Sequence, residues 1–452
     1  MGLKETSETR CSEAPAIRPI GFCTTKSGLK VFTMHAIEKI ICKNAKRNSL
    51  SGQSFVDVEV DFTILNDLYW SAIKSFEKLK PNLKLFNPDK FGICFNCYSA
   101  PPSPRSLEKK SKIDELARAN RIKYQFDIYR GTWQEEFINE KLAAIGEIVI
   151  SADQHTPALG GLGILAFSGG ESDIAASMAT GKTWIKTPEI VEIRLNGTAR
   201  SGISPLDVAL SVIKSIDRKE LSFKVIEFTG SYSEEMDATS RMTICDMFSE
   251  LEVQTCYMKP SEEVIKFLER KTGRKYDIIE NDEGYSYSKT YEFDVSEMKP
   301  MISLSADLSK IFYVSELEEQ NIKITEGFIG GCQSGQMKDI EPAFNVLKDK
   351  HLPDKSVLSI CPASNTVLRE CMNLGFIKAF ENAGAKCISV GCASCIGMRE
   401  GTMSLGNPIL TNTNRIFCGR MKVRGITLYQ ASSLTIITSV MNGFISTPVK
   451  DE

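Results

Sequence analysis

Short apolar runs alternate with helical patterns along most of this chain. Residues 36–44 place Ile37, Ile40 and Ile41 on one helical face, and residues 55–61 then alternate as a half-buried strand does. Further apolar runs predict strands at 91–94, 146–150 and 357–361, and helical periodicity predicts helices at 114–119, 173–180 and 365–379. Interleaving of this kind predicts an α/β protein built from layered domains.

Glycines cluster between residues 160 and 170, just before one of the predicted helices. The run Gly160-Gly-Leu-Gly163 does not match G-x-G-x-x-G, and the chain contains no G-x-x-x-x-G-K-[ST] phosphate loop. We therefore interpret these glycines as points of close backbone packing at a helix start rather than as a nucleotide loop. Further along, a Lys299-Pro300 step follows a polar and aromatic segment, and we place a domain boundary near residue 315.

Composition narrows the class of protein. With 452 residues, 42% apolar and 25% charged, the chain has the composition of a soluble globular protein of two or three domains. Its net charge of -2 argues against non-specific binding to nucleic acid or to an anionic membrane. We see neither an apolar stretch of about 18 residues nor a signal-peptide pattern, so we expect no membrane association and a cytoplasmic location. Fourteen scattered cysteines also suit a reducing compartment.

Three cysteines stand out because of their glycine-rich surroundings. Cys332 lies in Gly-Gly-Cys-Gln-Ser-Gly, and Cys392 and Cys395 are separated by two residues. Three thiolates on one iron-sulfur cluster would leave one metal position open for a substrate oxygen. The close pair alone also fits a zinc knuckle or a redox dithiol, and spacing does not separate these alternatives. The three histidines in the chain offer few nitrogen donors for a tetrahedral zinc site.

Several separate motifs share the order and spacing of one family. They are Asp153-Gln-His155-Thr156, residues 175–181, residues 226–230, residues 241–250, the three cysteines above and residues 412–420. In these motifs the chain resembles the aconitase superfamily, specifically the large subunits of isopropylmalate isomerase and homoaconitase, from about residue 34 onward. The resemblance implies a three-domain aconitase-like α/β architecture with a [4Fe-4S] cluster between domains. We expect a flexible extension at 1–33 and domains at 34–188, 189–315 and 316–452, the last carrying the cluster cysteines.

The resemblance also implies an activity and a set of residue roles. It implies a dehydratase or isomerase, a hydro-lyase acting on a malate-like hydroxy-di- or tricarboxylic acid, with the open iron as Lewis acid. The implied metal ligands are Cys332, Cys392 and Cys395. The implied substrate-binding residues are Arg415, Arg420, Asn66, Gln154 and Asn414. The implied catalytic residues include Asp153, His155 and Glu250. Arg415 and Arg420 would clamp substrate carboxylates, because a guanidinium binds a carboxylate with two parallel hydrogen bonds.

The chain departs from the family pattern at positions that matter for catalysis. Cys97 and Glu135 stand where the family has active-site histidines, Gln154 replaces a serine, and Asp246 replaces an asparagine. In one interpretation a retuned hydro-lyase uses Glu135 or Cys97 for proton transfer. In the other, the chain is a non-catalytic [4Fe-4S] protein, such as an iron or redox sensor or a scaffold. We favour the enzyme, because a general acid or base typically contributes only about 10²- to 10⁴-fold.

A partner subunit is also expected. Single-chain aconitases carry a swivel domain with a Gly-Ser-Ser-Arg-type loop whose serine acts as base, and this sequence reaches Glu452 without such a loop. We therefore expect a separate small subunit that supplies the serine, as in two-subunit isopropylmalate isomerases.

Overall fold

The computed structural model describes residues 22–24, 30–50, 52, 54–82, 84–95, 104–127, 130–304, 308–332, 334–392, 408–413 and 427–448. Five of the predicted site residues lie outside the described residues: Cys97, Cys395, Asn414, Arg415 and Arg420. The remaining predicted site residues all lie within them.

Helices and strands alternate along the described chain. The strands are β1 Phe22–Thr24, β2 Lys30–Phe32, β3 Phe55–Glu59, β4 Phe62–Asn66, β5 Phe91–Cys94, β6 Tyr124–Phe126, β7 Ile148–Ser151, β8 Leu165–Ser168, β9 Lys182–Lys186, β10 Ile190–Asn196, β11 Val225–Thr229, β12 Thr255–Tyr257, β13 Lys289–Asp294, β14 Met301–Ser303, β15 Ile311–Tyr313, β16 Glu326–Gly330, β17 Val357–Cys361, β18 Lys386–Cys387, β19 Ile409–Thr411 and β20 Leu428–Ala431. The α-helices are α1 Ala36–Ala45, α2 Ser71–Leu79, α3 Pro104–Asn120, α4 Trp133–Asn139, α5 Glu171–Thr180, α6 Pro205–Ser215, α7 Ser231–Glu235, α8 Ala238–Phe248, α9 Glu262–Thr272, α10 Val314–Glu318, α11 Met337–Leu347, α12 Asn365–Asn373, α13 Phe376–Asn382 and α14 Ser433–Asn442.

The first main sheet is parallel, with strand order β6-β5-β4-β7-β8. Helices cover both of its faces, which explains why its strands are apolar at nearly every position. On one face α2, α3 and α5 pack on Leu65, Ile93 and Ile150. On the other, α4, α8 and α9 pack around Phe62 and Val149. A separate antiparallel pair, β3 and β9, lies beside this sheet.

Two further large sheets follow, and β1 and β2 form a separate antiparallel pair. The second has parallel strands in the order β12-β11-β10-β13. The third has the order β15-β14-β20-β19-β16-β17-β18, in which β15, β14 and β20 pair antiparallel and the remaining pairs are parallel. The predicted α/β class is therefore confirmed. Among the described residues, no helix combines the length and apolar character needed to cross a membrane.

The prediction of one continuous helix at 365–379 is wrong. The structure has two helices there, α12 and α13, separated by Gly375 with φ of 78°. This left-handed conformation costs glycine little and ends α12, whereas most other residues would be strained in it. The other predicted helices and strands correspond to α1, α3, α5, β3, β5, β7 and β17.

The glycine cluster packs closely, as predicted, but at a different element. Gly160 and Gly161 lie in a short 3-10 helix, Thr156–Leu162, rather than at the start of α5. A Cβ atom on Gly160 would lie 2.0 Å from the carbonyl oxygen of Cys256 in β12, and one on Gly161 would lie 2.7 Å from the Arg241 backbone in α8. The 3-10 helix therefore presses directly on α8, and this contact sets the position of the residues just before it.

Candidate active site

The candidate site lies where elements associated with the three main sheets meet. His155 follows β7 of the first sheet, Glu250 follows α8 in a 3-10 turn, Ser249–Leu251, and Cys332 follows β16 of the third sheet. Loops at the carboxyl ends of parallel strands meet at one edge of a sheet, which is where α/β proteins place their ligand sites. The close packing of the 3-10 helix on α8 brings His155 against Glu250.

The His155 ring contacts acidic and thiol groups on both of its nitrogen atoms. Nε2 lies 3.0 Å from Oε1 of Glu250, while Nδ1 lies 3.8 Å from Sγ of Cys332 and 3.7 Å from Oδ1 of Asp153. Burial opposes protonation of the ring, but Asp246, Glu250 and Asp153 outweigh it and raise the pKa of His155 to about 9. The structure thus brings together His155, Asp153, Glu250 and Cys332, all predicted from the sequence.

Asp246 is a further member of this group. It is fully buried in α8, and its Oδ2 accepts a hydrogen bond from the thiol of Cys332 at 3.5 Å. Burial raises the pKa of Asp246 to about 7, with His155 opposing that rise and Glu250 adding to it. The sequence marked Asp246 only as a departure from the family pattern.

Asp153 is held by three donors. Its Oδ2 accepts hydrogen bonds from Nε1 of Trp133 at 2.9 Å and from Nδ2 of Asn66 at 3.4 Å. Its Oδ1 accepts one from the backbone N–H of His155 at 3.0 Å. The aspartate therefore fixes the backbone that presents His155. Asn66 is fully buried beside it, and Trp133 is a contributor that the sequence motifs did not reveal.

Glu135 lies in the first turn of α4, and its side chain reaches the loop that carries Cys332. Its Oε1 accepts a hydrogen bond from Nε2 of Gln336 at 2.9 Å, and the same Nε2 lies 3.3 Å from the carbonyl oxygen of Cys332. Burial raises the pKa of Glu135, although the Gln336 hydrogen bond and Lys271 lower it. Gln336, which immediately precedes α11, was not predicted as a site residue.

The amide of Gln154 faces the turn that carries Glu250. Its Nε2 lies 3.4 Å from the carbonyl oxygen of Ser249 and 3.4 Å from Oε2 of Glu250. Gln154 therefore belongs to the same cluster of side chains, and its substrate-binding role stays a prediction.

Two of the three predicted cluster ligands lie at one sheet edge. Cys332 is buried just beyond β16, and Cys392 is half-buried after β18. The thiol of Cys361, at the end of β17, donates to the carbonyl oxygens of Ser389 and Gly391, both at 3.4 Å, and so holds the segment before Cys392 against that edge. Thiolates are the donors that iron-sulfur clusters use, so the described part of the ligand set fits such a cluster.

Comparisons with known proteins identify the family of this chain. A model of the aconitase family (aconitate hydratase) matches residues 117–320 and 306–443. The 3-isopropylmalate dehydratase large subunit of Halothermothrix orenii is 31% identical over 417 residues, covering 92% of this chain and 99% of that protein. The probable methanogen homoaconitase large subunit of Methanothermobacter thermautotrophicus is 27% identical over 423 residues, covering 92% and 98%. A crystal structure of Thermococcus kodakaraensis aconitase X has a TM-score of 0.46 at 13% identity, covering 84% of this chain and 88% of that one.

These matches define an enzyme of the hydro-lyase class with an α/β fold. The chain belongs to the aconitase family, whose members carry an iron-sulfur cluster. Of the two interpretations of the sequence, the family therefore supports the enzyme over the non-catalytic protein.

Proposed function

We propose that this chain is the large subunit of an iron-sulfur hydro-lyase that acts on a malate-like hydroxy-di- or tricarboxylic acid. The observation that carries the proposal is the buried group of side chains formed by the His155–Glu250 pair, Asp153 and Cys332. The relatives named 3-isopropylmalate dehydratase and homoaconitase large subunits support the same class of substrate.

The proposed cofactor is a [4Fe-4S] cluster held by Cys332, Cys392 and Cys395. When bound, such a cluster supplies a Lewis-acidic iron that polarises a substrate hydroxyl group. The donor chemistry of Cys332 and Cys392 and their place at one sheet edge support this assignment.

Protonation of the leaving hydroxyl group falls to the chain's own side chains. Glu135 is suited to donate a proton to a leaving hydroxyl group, because burial raises its pKa and favours the protonated carboxyl. His155 holds a proton between its ring and Glu250, and Asp153 orients the backbone that presents the ring. Glu135 thereby replaces the family histidine as the donor of a proton to the leaving hydroxyl group. Cys97 is the second candidate for this role.

Substrate binding is assigned by resemblance and by position. Arg415 and Arg420 would hold two carboxylates, with Asn414, Gln154 and Asn66 as neutral polar contacts. The remaining catalytic group, a base for the carbon-bound proton, would come from a small partner subunit. The designation of the relatives as large subunits supports such a partner.

An anaerobic co-expression experiment tests the proposal. The chain is purified without oxygen, alone and with a small subunit from the same host, and iron, acid-labile sulfide and hydration of unsaturated diacids are measured. We expect a four-iron cluster in both preparations and activity only with the partner. Iron-free protein would contradict the cluster, and full activity of the lone chain would contradict the partner.

Two cysteine variants provide a matched control. Cys332→Ala should lose the cluster, whereas Cys371→Ala should keep it, because Cys371 is a fully buried cysteine of α12 whose thiol contacts Met337. Equal iron loss in both variants would indicate general unfolding rather than loss of a ligand.

A further inference from the structure

We infer that this chain has a second metal site, which shares only Cys332 with the proposed cluster: Cys332, His155 and Asp246 together bind a single divalent ion of the zinc class. All three residues are buried, and their ligand atoms lie within 4.8 Å of one another. The site needs neither Cys392 nor Cys395, so it goes beyond the proposed function.

Two of the three distances between the donor atoms are close to those of tetrahedral coordination, and the third lies within 4.8 Å. Zinc–sulfur bonds of about 2.3 Å and zinc–nitrogen or zinc–oxygen bonds of about 2.0 Å place neighbouring ligand atoms roughly 3.5 Å apart. Sγ of Cys332 lies 3.8 Å from Nδ1 of His155 and 3.5 Å from Oδ2 of Asp246. An ion could therefore enter with small side-chain movements.

The orientation of the imidazole ring supports the same site. A histidine that binds metal usually donates its other ring N–H to a carboxylate or a carbonyl group. The Nε2 atom of His155 lies 3.0 Å from Oε1 of Glu250, and this leaves Nδ1 directed toward Cys332. With Nε2 held by Glu250, loss of the Nδ1 proton on metal binding would leave the Nδ1 lone pair facing the other two ligands.

The donor set also selects the kind of ion. One thiolate, one imidazole and one carboxylate suit zinc or cobalt, whereas calcium and magnesium prefer oxygen donors alone. Asp246 makes this set distinctive, because it stands where the family pattern has an asparagine. The thiolate and the carboxylate together neutralise the two charges of the ion, and three protein ligands leave a fourth position open.

Cys332 would serve both the single ion and the cluster, so the two metals exclude each other. The mononuclear ion would occupy the chain only while the cluster is absent. Cluster assembly would then have to displace it.

Cobalt titration of the full-length chain, purified reduced and free of metal, tests this inference. We expect one Co²⁺ ion per chain, with a thiolate-to-cobalt charge-transfer band and the intense visible bands of tetrahedral cobalt. The isosteric variant Asp246→Asn should weaken binding by more than the roughly 10- to 100-fold that loss of an outer partner costs, and Glu250→Gln should fall within that range. Circular dichroism checks that each variant keeps its fold.

Cys392→Ser provides the control, because it removes a predicted cluster ligand and should leave the cobalt complex unchanged. Loss of the complex in Cys392→Ser, or its full retention in Asp246→Asn, would place the ion on the cysteines and overturn the inference. Absence of a charge-transfer band in the wild type would overturn it as well. Iron and sulfide content of reconstituted Asp246→Asn should stay at the wild-type level, so failure of the cobalt site and failure of the cluster are distinguishable.

Discussion

Two buried histidine–glutamate pairs occupy different parts of this molecule. Nε2 of His35 lies 2.7 Å from Glu227, and Nε2 of His155 lies 3.0 Å from Glu250. All four side chains are at least nine-tenths buried. The difference between the pairs therefore lies in what the other atoms of each pair contact.

The His35–Glu227 pair makes hydrogen bonds that hold the fold together. Nδ1 of His35 accepts the backbone N–H of Ile37 at 3.1 Å and so caps α1, while the His35 backbone N–H donates to Glu38 at 2.8 Å. Glu227 also accepts a hydrogen bond from the hydroxyl of Tyr287 at 2.6 Å. With both ring nitrogens engaged inside the protein, this histidine ties α1 to the second sheet.

The His155 pair leaves one ring nitrogen facing a reactive group. Nδ1 is directed at the thiol of Cys332 instead of a backbone N–H, and Asp153 and Asp246 lie close by. We therefore expect the same pair of residue types to be structural where the backbone occupies the second nitrogen and functional where a thiol faces it. Substitutions in both pairs can test this distinction.

The largest effect is expected for His155→Gln. Loss of a residue that holds or relays a proton typically lowers kcat by about 10²- to 10⁴-fold. Gln keeps a hydrogen-bond donor for Glu250 but removes the positive charge of the ring, so the midpoint of thermal unfolding should fall only moderately. Steady-state kinetics of the reconstituted two-subunit enzyme, together with thermal unfolding of the same samples, provide the measurement. A variant with normal kcat and a much lower unfolding midpoint would mean that both pairs are structural.

The reciprocal result is expected for His35→Ala. Removing this ring uncaps α1 and leaves Glu227 buried with one donor fewer, so the free energy of unfolding should fall by about 3 kcal/mol. The kcat per folded molecule should stay at the wild-type value. Urea unfolding and active-site titration measure the two quantities. A large fall in kcat of correctly folded His35→Ala would break the comparison.

The two pairs also differ in how well the sequence revealed them. His155, Asp153 and Glu250 were assigned because they lie in motifs of known order, whereas His35 lies outside those motifs. Its partner Glu227 is 192 positions away, and local patterns carry no information about such a contact. The same limit applies to Trp133 and Gln336, whose contacts with Asp153 and Glu135 form only when separate elements pack together.

Local elements were predicted better than their interruptions. Continuous apolar runs identified β5 and β17, because both strands are short and buried. The break at Gly375 was missed, because residues on either side continue the same helical periodicity. Asp246 was seen as a departure from the family, but its contact with Cys332 depends on the packing of α8 against the third sheet.

A smaller effect is expected for Tyr287→Phe, which removes one donor from Glu227 and one acceptor from the Asn281 side chain. The free energy of unfolding should fall by about 1 kcal/mol, the net value of a typical hydrogen bond. Tyr285→Phe is the matched control, since its ring packs edge-on against His35 with centroids 5.0 Å apart and that contact survives the change. Equal destabilisation by both variants, measured in urea, would show that ring packing rather than the hydrogen bond supports the His35 pair.

The smallest effect concerns Glu147, a carboxyl group outside both pairs that titrates within the pH range of these comparisons. Burial and the nearby Asp61 raise the pKa of Glu147 to about 7, although Arg274, 3.4 Å away, lowers it. Because the pKa of Glu147 in the folded protein exceeds its ordinary value of 4.5, the protonated group stabilises the fold below pH 4.5, and this contribution is lost as pH rises to about 7. Glu147→Gln should lack that part of the pH dependence. Solvent screens the group, since 34% of its side chain is exposed, so the change should be modest. Urea unfolding at pH values from about 4 to 8 measures it. If the free energies of unfolding of Glu147→Gln and wild type differ by the same amount at every pH, groups other than Glu147 cause the pH dependence of stability. The two histidine–glutamate pairs are then the next groups to test.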